Sequence, residues 1–202
     1  KPYDSDELKQ AVITGLRRIE EAEKKRKVES VLLSNLPLLR EQWFRYVINS
    51  SRIYMHEWME KRSSYHLDEF DGMEFVVISV DFQQMEGIDS LIFKQVVLQQ
   101  LKAIVKRNTV VLGFSVSFQN RDHELIIVGG DAPGENTTPK WIEVARAIEQ
   151  GIIENGMHNI YVRCGPVVDS LMDINKSYAK RDAIIANPGG ETQHVGYIPM
   201  QE

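Results

Sequence analysis

Residues 110–128 read VVLGFSVSFQNRDHELIIV. Val110, Leu112, Phe114, Val116 and Phe118 alternate with small or polar residues, Val111 excepted, and a period of two belongs to a half-buried strand. Asn120-Arg121-Asp122 is turn chemistry, because short polar side chains hydrogen-bond their own backbone. Glu124–Val128 is a second strand, so the stretch predicts a β-hairpin. On its N-terminal side Phe75–Val80 is a continuous apolar run of strand length. Ile88–Val105 then carries Leu91, Ile92, Val96, Leu98 and Leu101 on one side of a helix. On its C-terminal side Gly129–Gly134 reads as a loop. A helix follows over Pro139–Glu154, with Thr138 as cap and Pro139 at its first position, and Asn155-Gly156 ends it. Asn159–Cys164 is a strand, and Asp169–Ala186 is a last helix before Asn187-Pro188-Gly189-Gly190. The order β-α-β-β-α-β-α predicts an α+β fold, a split βαβ antiparallel sheet with helices on one face.

Ahead of this body lies one long polar helix, predicted over 5–33. Ser5 or Asp6 suits its N-cap, and acids at Asp6 and Glu7 suit its positive end. Arg17 to Lys27 holds nine charges in eleven positions. Glu20–Lys24, Glu21–Lys25 and Glu23–Lys27 are acid-first i,i+4 pairs, each worth about 0.3–0.5 kcal/mol. A helix this polar has no face broad enough for a globular core, but it has a narrow seam. In one heptad register Val12, Ile19, Arg26 and Leu33 take position a, and Leu8, Gly15, Ala22, Glu29 and Leu36 take position d. This predicts a parallel two-stranded coiled coil joined through Leu8, Val12, Ile19, Ala22, Leu33 and Leu36, weakened by Arg26, Glu29 and Gly15. A solitary solvated linker helix is the other reading. Pro37 lacks an amide, so the helix is expected to kink or restart there. Trp43, Phe44, Val47 and Ile48 then form a fatter apolar face, and a further helix is expected over 51–62. Trp43, Phe44 and Trp58 are either anchors for a partner chain or packed within their own.

The net charge of −5 argues against nucleic acid or an anionic membrane as a direct partner of this segment. The lone cysteine, Cys164, forbids an internal disulfide and fits a reducing compartment, so the cytoplasm is the expected location. A chain that enters a helix straight after Lys1-Pro2-Tyr3 is expected to be the middle of a larger protein. His56, His66, His123, His158 and His194 are scattered without metal-ligand spacing. No phosphate-binding glycine loop and no nucleophile–base set can be assembled, so neither catalysis nor a cofactor is expected. One constellation stands out. Asp81 ends the first strand, the hairpin tip carries Asp122 and Glu124, and a split βαβ sheet sets the two side by side. Such acids either bind Mg²⁺ or merely cap and solvate the strand ends.

Residues 75–187 resemble a GGDEF-like domain of the nucleotidyl-cyclase fold. Asp81-Phe82 looks like that family's first metal-binding aspartate, and Asn120-Arg121-Asp122-His123-Glu124-Leu125 occupies the place of its signature turn. Both signature glycines are missing, Gln83 stands where a second acid is usual, and Gly129-Gly130-Asp131 follows the strand rather than preceding it. A narrower resemblance covers nearly the whole chain. Lys1-Pro2 and the acidic helix start are similar to the end of a response-regulator receiver domain. The stretch from Ser34 through Pro37 to Phe44 is similar to the linker of two-component response regulators that end in an AraC-type DNA-binding domain. Ser170-Leu171, Ser177-Tyr178 and Ala183-Ile184 resemble the closing helix of their degenerate GGDEF-like domain, with Arg181 where alanine is usual. The resemblance implies four parts: a receiver end and coiled coil (1–36), a helical connector (37–72), a degenerate GGDEF-like domain (73–187) and a tail (188–202). It implies a non-catalytic homodimer that transmits a signal between a receiver, phosphorylated by a sensor kinase, and a DNA-binding domain outside this chain. A nucleotide- or ligand-binding sensor domain is the alternative, and a nucleotidyl cyclase a more remote one.

Overall fold

The computed structural model describes residues 5–50, 52–83, 91–134 and 137–184, with the backbone alone for 5–8, 137–139 and 182–184. It divides into two compact units, 1–40 and 41–202. The expected tail 188–202 lies outside the described residues, as does the expected start of the helix at Ile88.

Helix α1 runs from Ser5 to Asn49 and contains Pro37. Of the kink or restart expected at Pro37, the restart does not occur, and the helix is continuous through it. A proline inside a helix costs about 3 kcal/mol. Beyond it Trp43, Phe44, Val47 and Ile48 are buried, and each large apolar side chain removed from water returns about 1.5–3 kcal/mol. Tertiary burial therefore outweighs the local penalty. The three aromatics left open by the sequence are settled likewise: Trp43, Phe44 and Trp58 are 4%, 0% and 9% exposed within their own chain.

After α2 (Met55–Ser64) the chain enters the sheet unit: β1 (Glu74–Asp81), α3 (Leu91–Asn108), β2 (Phe114–Arg121), β3 (Glu124–Asp131), α4 (Thr137–Glu154), β4 (Tyr161–Cys164), α5 (Ile174–Ala179) and β5 (Asp182–Ile184). The strands lie in the order β2-β3-β1-β4-β5, with antiparallel neighbours throughout. The molecule is thus α+β, with a long N-terminal helix and an antiparallel sheet built of two interlocked split βαβ units.

Helices cover both faces of the sheet, not one. Val76, Ile78 and Val80 of β1, Leu125 and Ile127 of β3 and Val162 of β4 face α3 and α4. The alternate residues Phe75, Val77, Ile126 and Val128 face the end of α1, Trp58, Phe70, Ile174 and Tyr178. The continuous apolar run of β1 requires this, because neither face of the strand is fit for water.

Four further expectations are corrected. Gly129 and Gly130 are not a loop but lie within β3, paired with Val76 and Phe75. A Cβ on Gly129 would stand 2.9 Å from Trp141, and one on Gly130 would stand 2.9 Å from Phe75, so the pair makes room for one large ring on each face. β2 begins at Phe114, not Val110. Leu112 N–H donates to the Thr109 carbonyl at 3.1 Å, and this turn out of α3 leaves Val110 and Val111 exposed while Leu112 is buried. α4 begins two residues early, at Thr137, with Pro139 inside the first turn, where its missing amide has no partner to lose. The last helix is only Ile174–Ala179, preceded by a 3-10 turn at Leu171–Asp173. The chain then leaves as β5, whose Ala183 pairs with Arg163 on the open side of β4.

Gly165 locks this closing segment to the sheet. Its N–H donates to the Val77 carbonyl at 2.8 Å, and Val77 N–H donates to Ser177 Oγ at 3.0 Å. A Cβ on Gly165 would collide with the main-chain oxygen of Ser177. Gly165→Ala is therefore expected to lower unfolding free energy by about 1–3 kcal/mol in urea denaturation. An unchanged midpoint would show that α5 yields without cost.

Candidate functional site

Two features carry the functional expectations. The first is the helix over 5–40. Within the single chain Val12 and Ile19 are 54% and 58% exposed, and Ala22 and Leu33 are exposed as well. Gly15 and Leu36 are partly covered, and the side chain of Leu8 lies outside the described residues. Leu16 joins Val12 and Ile19 on the same side at helical spacing. A second exposed set, Val28, Val31, Leu32 and Leu38, is centred roughly 130° away at 3.6 residues per turn. A single straight seam does not take in both sets. Of the expected acid-first ion pairs none forms among the described residues; Lys25 and Glu29 approach to 4.0 Å instead. Exposed helical pairs contribute little, so this change has small energetic weight.

The second feature is the group of acids at the β1 end and the hairpin tip. The register sets Asp81 directly opposite Glu124, as the split βαβ order requires. Asp122 does not join them: it is exposed in the two-residue turn, and its main-chain oxygen accepts from Gln119 Nε2 at 3.2 Å. Among the described residues no three His, Cys, Asp or Glu side chains are placed to hold a metal ion. Asp81 accepts from the Gln83 N–H at 3.0 Å and lies 3.5 Å from Arg163 Nη1.

Glu124 is 5% exposed and bound on every side. Tyr178 Oη donates to its Oε2 at 2.7 Å, Asn120 Nδ2 to the same oxygen at 3.1 Å, and Arg181 Nη2 to Oε1 at 2.9 Å. Asn120 accepts in turn from Asn49 Nδ2 at 2.7 Å, at the end of α1. Arg181 also lies 3.8 Å from the centre of the Tyr178 ring and donates to the Tyr178 carbonyl. This network ties α1, the hairpin and α5 together through one buried charge. The sequence reading missed Asn120, Tyr178 and Arg181 as its members. A signal existed: a carboxylate beside an apolar strand needs a cation, and Arg181 follows Tyr178 by three residues at the end of the expected last helix.

Burial, and next the bond to Glu124, raises the Tyr178 phenol above its ordinary 10.0. The folded state therefore keeps this proton after the unfolded chain has released it. The stabilisation is present below pH 10.0 and declines as the pH rises beyond it. The stability gap between the parent chain and Tyr178→Phe is expected to hold up to that pH and narrow above it; denaturation at about pH 8 and about pH 11 measures it. Glu124→Ala, which strands Arg181, is expected to cost about 3 kcal/mol in the same assay, and a cost below about 1 kcal/mol would deny the network a structural role. Comparison of the chain with models of protein families, with characterised proteins and with solved structures returns no match.

Proposed function

We propose that this chain is a non-catalytic dimerisation and signal-transmitting region of a cytoplasmic two-component response regulator, with the receiver and an AraC-type DNA-binding domain outside it. In this reading the helix over 5–40 pairs with its copy in a parallel coiled coil, and the sheet unit is a degenerate GGDEF-like domain between the two functional ends. The observation that carries it is the bare aliphatic stripe of Val12, Leu16 and Ile19, just ahead of and within the most charged stretch of the helix. Such a stripe stays in water unless a partner covers it. The hairpin adds support. Glu124 is engaged by Tyr178, Asn120 and Arg181 rather than left open for a cation, and no glycine at the tip lets a phosphate approach the backbone. A short, interrupted seam suits transmission, because phosphorylation of a receiver biases an equilibrium only when its two states differ by a few kcal/mol.

Sedimentation of the 202-residue chain tests the seam. The parent is expected to run as a dimer, and Val12→Glu/Ile19→Glu as a monomer with an unchanged circular dichroism spectrum of the sheet unit. Equal mass for the two proteins would overturn the proposal.

A further inference from the structure

We propose that the open edge of β2 is a docking site for an extended acidic segment of another protein, which adds to the sheet as a further strand. The inference is independent of the helical dimer. Three observations converge on it.

The first is the edge. Among the described residues β2 ends the sheet order and pairs only with β3. Natural edges are guarded by lysine, proline, inward charge or bulges. Phe114–Arg121 has no lysine, no proline and no acid, and its single irregularity falls between Gln119 and Arg121, beside the turn. The stretch from Phe114 to Gln119 is left regular, and no strand among the described residues pairs with the backbone donors and acceptors along its outer side.

The second is the space beside that edge. A groove of about 390 Å³ runs between α3 and β2, lined by Lys102, Val105 and Lys106 on one side and Ser115 and Ser117 on the other. Val110, 76% exposed, also lines it. A strand laid along β2 makes main-chain bonds to the edge and sends alternate side chains toward one face. On the α3 face those side chains enter the groove, where the exposed Val110 offers apolar contact.

The third is charge. Residues 91–121 contain five basic residues, Lys94, Lys102, Lys106, Arg107 and Arg121, and no acid, in a chain of net charge −5. Lys102 and Lys106 are one helical turn apart, and neither forms an ion pair among the described residues. The groove therefore favours carboxylates. A second copy is the weaker occupant: antiparallel β2–β2 pairing in one continuous sheet would bring both α3 helices to the same face and oppose their lysines. A nucleic acid finds too few basic groups in line with its phosphates, and makes no use of a strand edge.

The test uses the full chain and fluorescein-labelled peptides of eight residues, matched to β2, alternating Glu and Val or Lys and Val. Anisotropy is expected to show the Glu-Val peptide binding at least about tenfold more tightly than the Lys-Val peptide. Lys102→Glu/Lys106→Glu, at solvent-accessible positions, is expected to invert that preference. Hydrogen exchange with the Glu-Val peptide is expected to slow in the Phe114–Arg121 amides, and slow exchange of the β1 amides checks that the variant remains folded. Binding by neither peptide, equal binding by both, or protection confined to other segments would overturn the proposal. So would binding of oligo-dT or phosphatidylserine vesicles, but not the peptides, in a manner lost in the lysine variant, since the basic face would then serve a different partner.

Discussion

β1 is apolar on both faces, and the rest of the fold answers to that. Val76, Ile78 and Val80 point one way and Phe75 and Val77 the other, all of them fully or almost fully withdrawn from water. A central strand of this kind needs two covers. The crossover helices α3 and α4 supply one, as the split βαβ topology dictates. The other comes from elements that the topology does not name: the last turns of α1, the chain around Phe70, and α5. The end of a long solvated helix is thereby made part of a globular core, and Pro37 is tolerated because Trp43, Phe44, Val47 and Ile48 beyond it are buried so well.

The same demand explains the glycine pair in β3. With Trp141 pressing on one face and Phe75 on the other, any side chain at Gly129 or Gly130 would meet an aromatic ring. These glycines serve packing, not phosphate binding or a turn. Glu124 illustrates the complementary case. A buried carboxylate is stable only when its charge is matched, and here one arginine, one tyrosine and one asparagine match it. Glu124, one of the acids that the sequence left open between cation binding and strand-end capping, sits in a structural joint in which α1, the hairpin and α5 meet.

Charge is unevenly distributed along the chain. The helix over 5–40 mixes both signs, residues 91–121 carry only positive charge, and the acids gather elsewhere. Mixed charge keeps an isolated helix in water and leaves its aliphatic stripe as the feature available for pairing, which is the core of the proposed dimer. Unmixed positive charge next to an unguarded strand edge has no such neutral explanation, because solubility alone calls for interspersed signs.

Much of this architecture was legible from residue order. The hairpin turn at Asp122, the strand at Phe75–Val80, the crossover helices and the end of α4 at Gly156 follow from local rules of period, turn and cap, which need only neighbouring residues. The exposed stripe of Val12 and Ile19 was legible for the same reason. Features that depended on distant contacts were not. Helix continuity through Pro37, the glycines inside β3, the brevity of α5 and the pairing of β5 with β4 are each set by residues far away in the chain. So is the identity of the partners of Glu124, drawn from positions 120, 178 and 181. Local propensities are worth fractions of a kcal/mol for most residues and about 3 kcal/mol for proline, whereas burial of several large side chains together is worth more, and where the two conflict burial prevails.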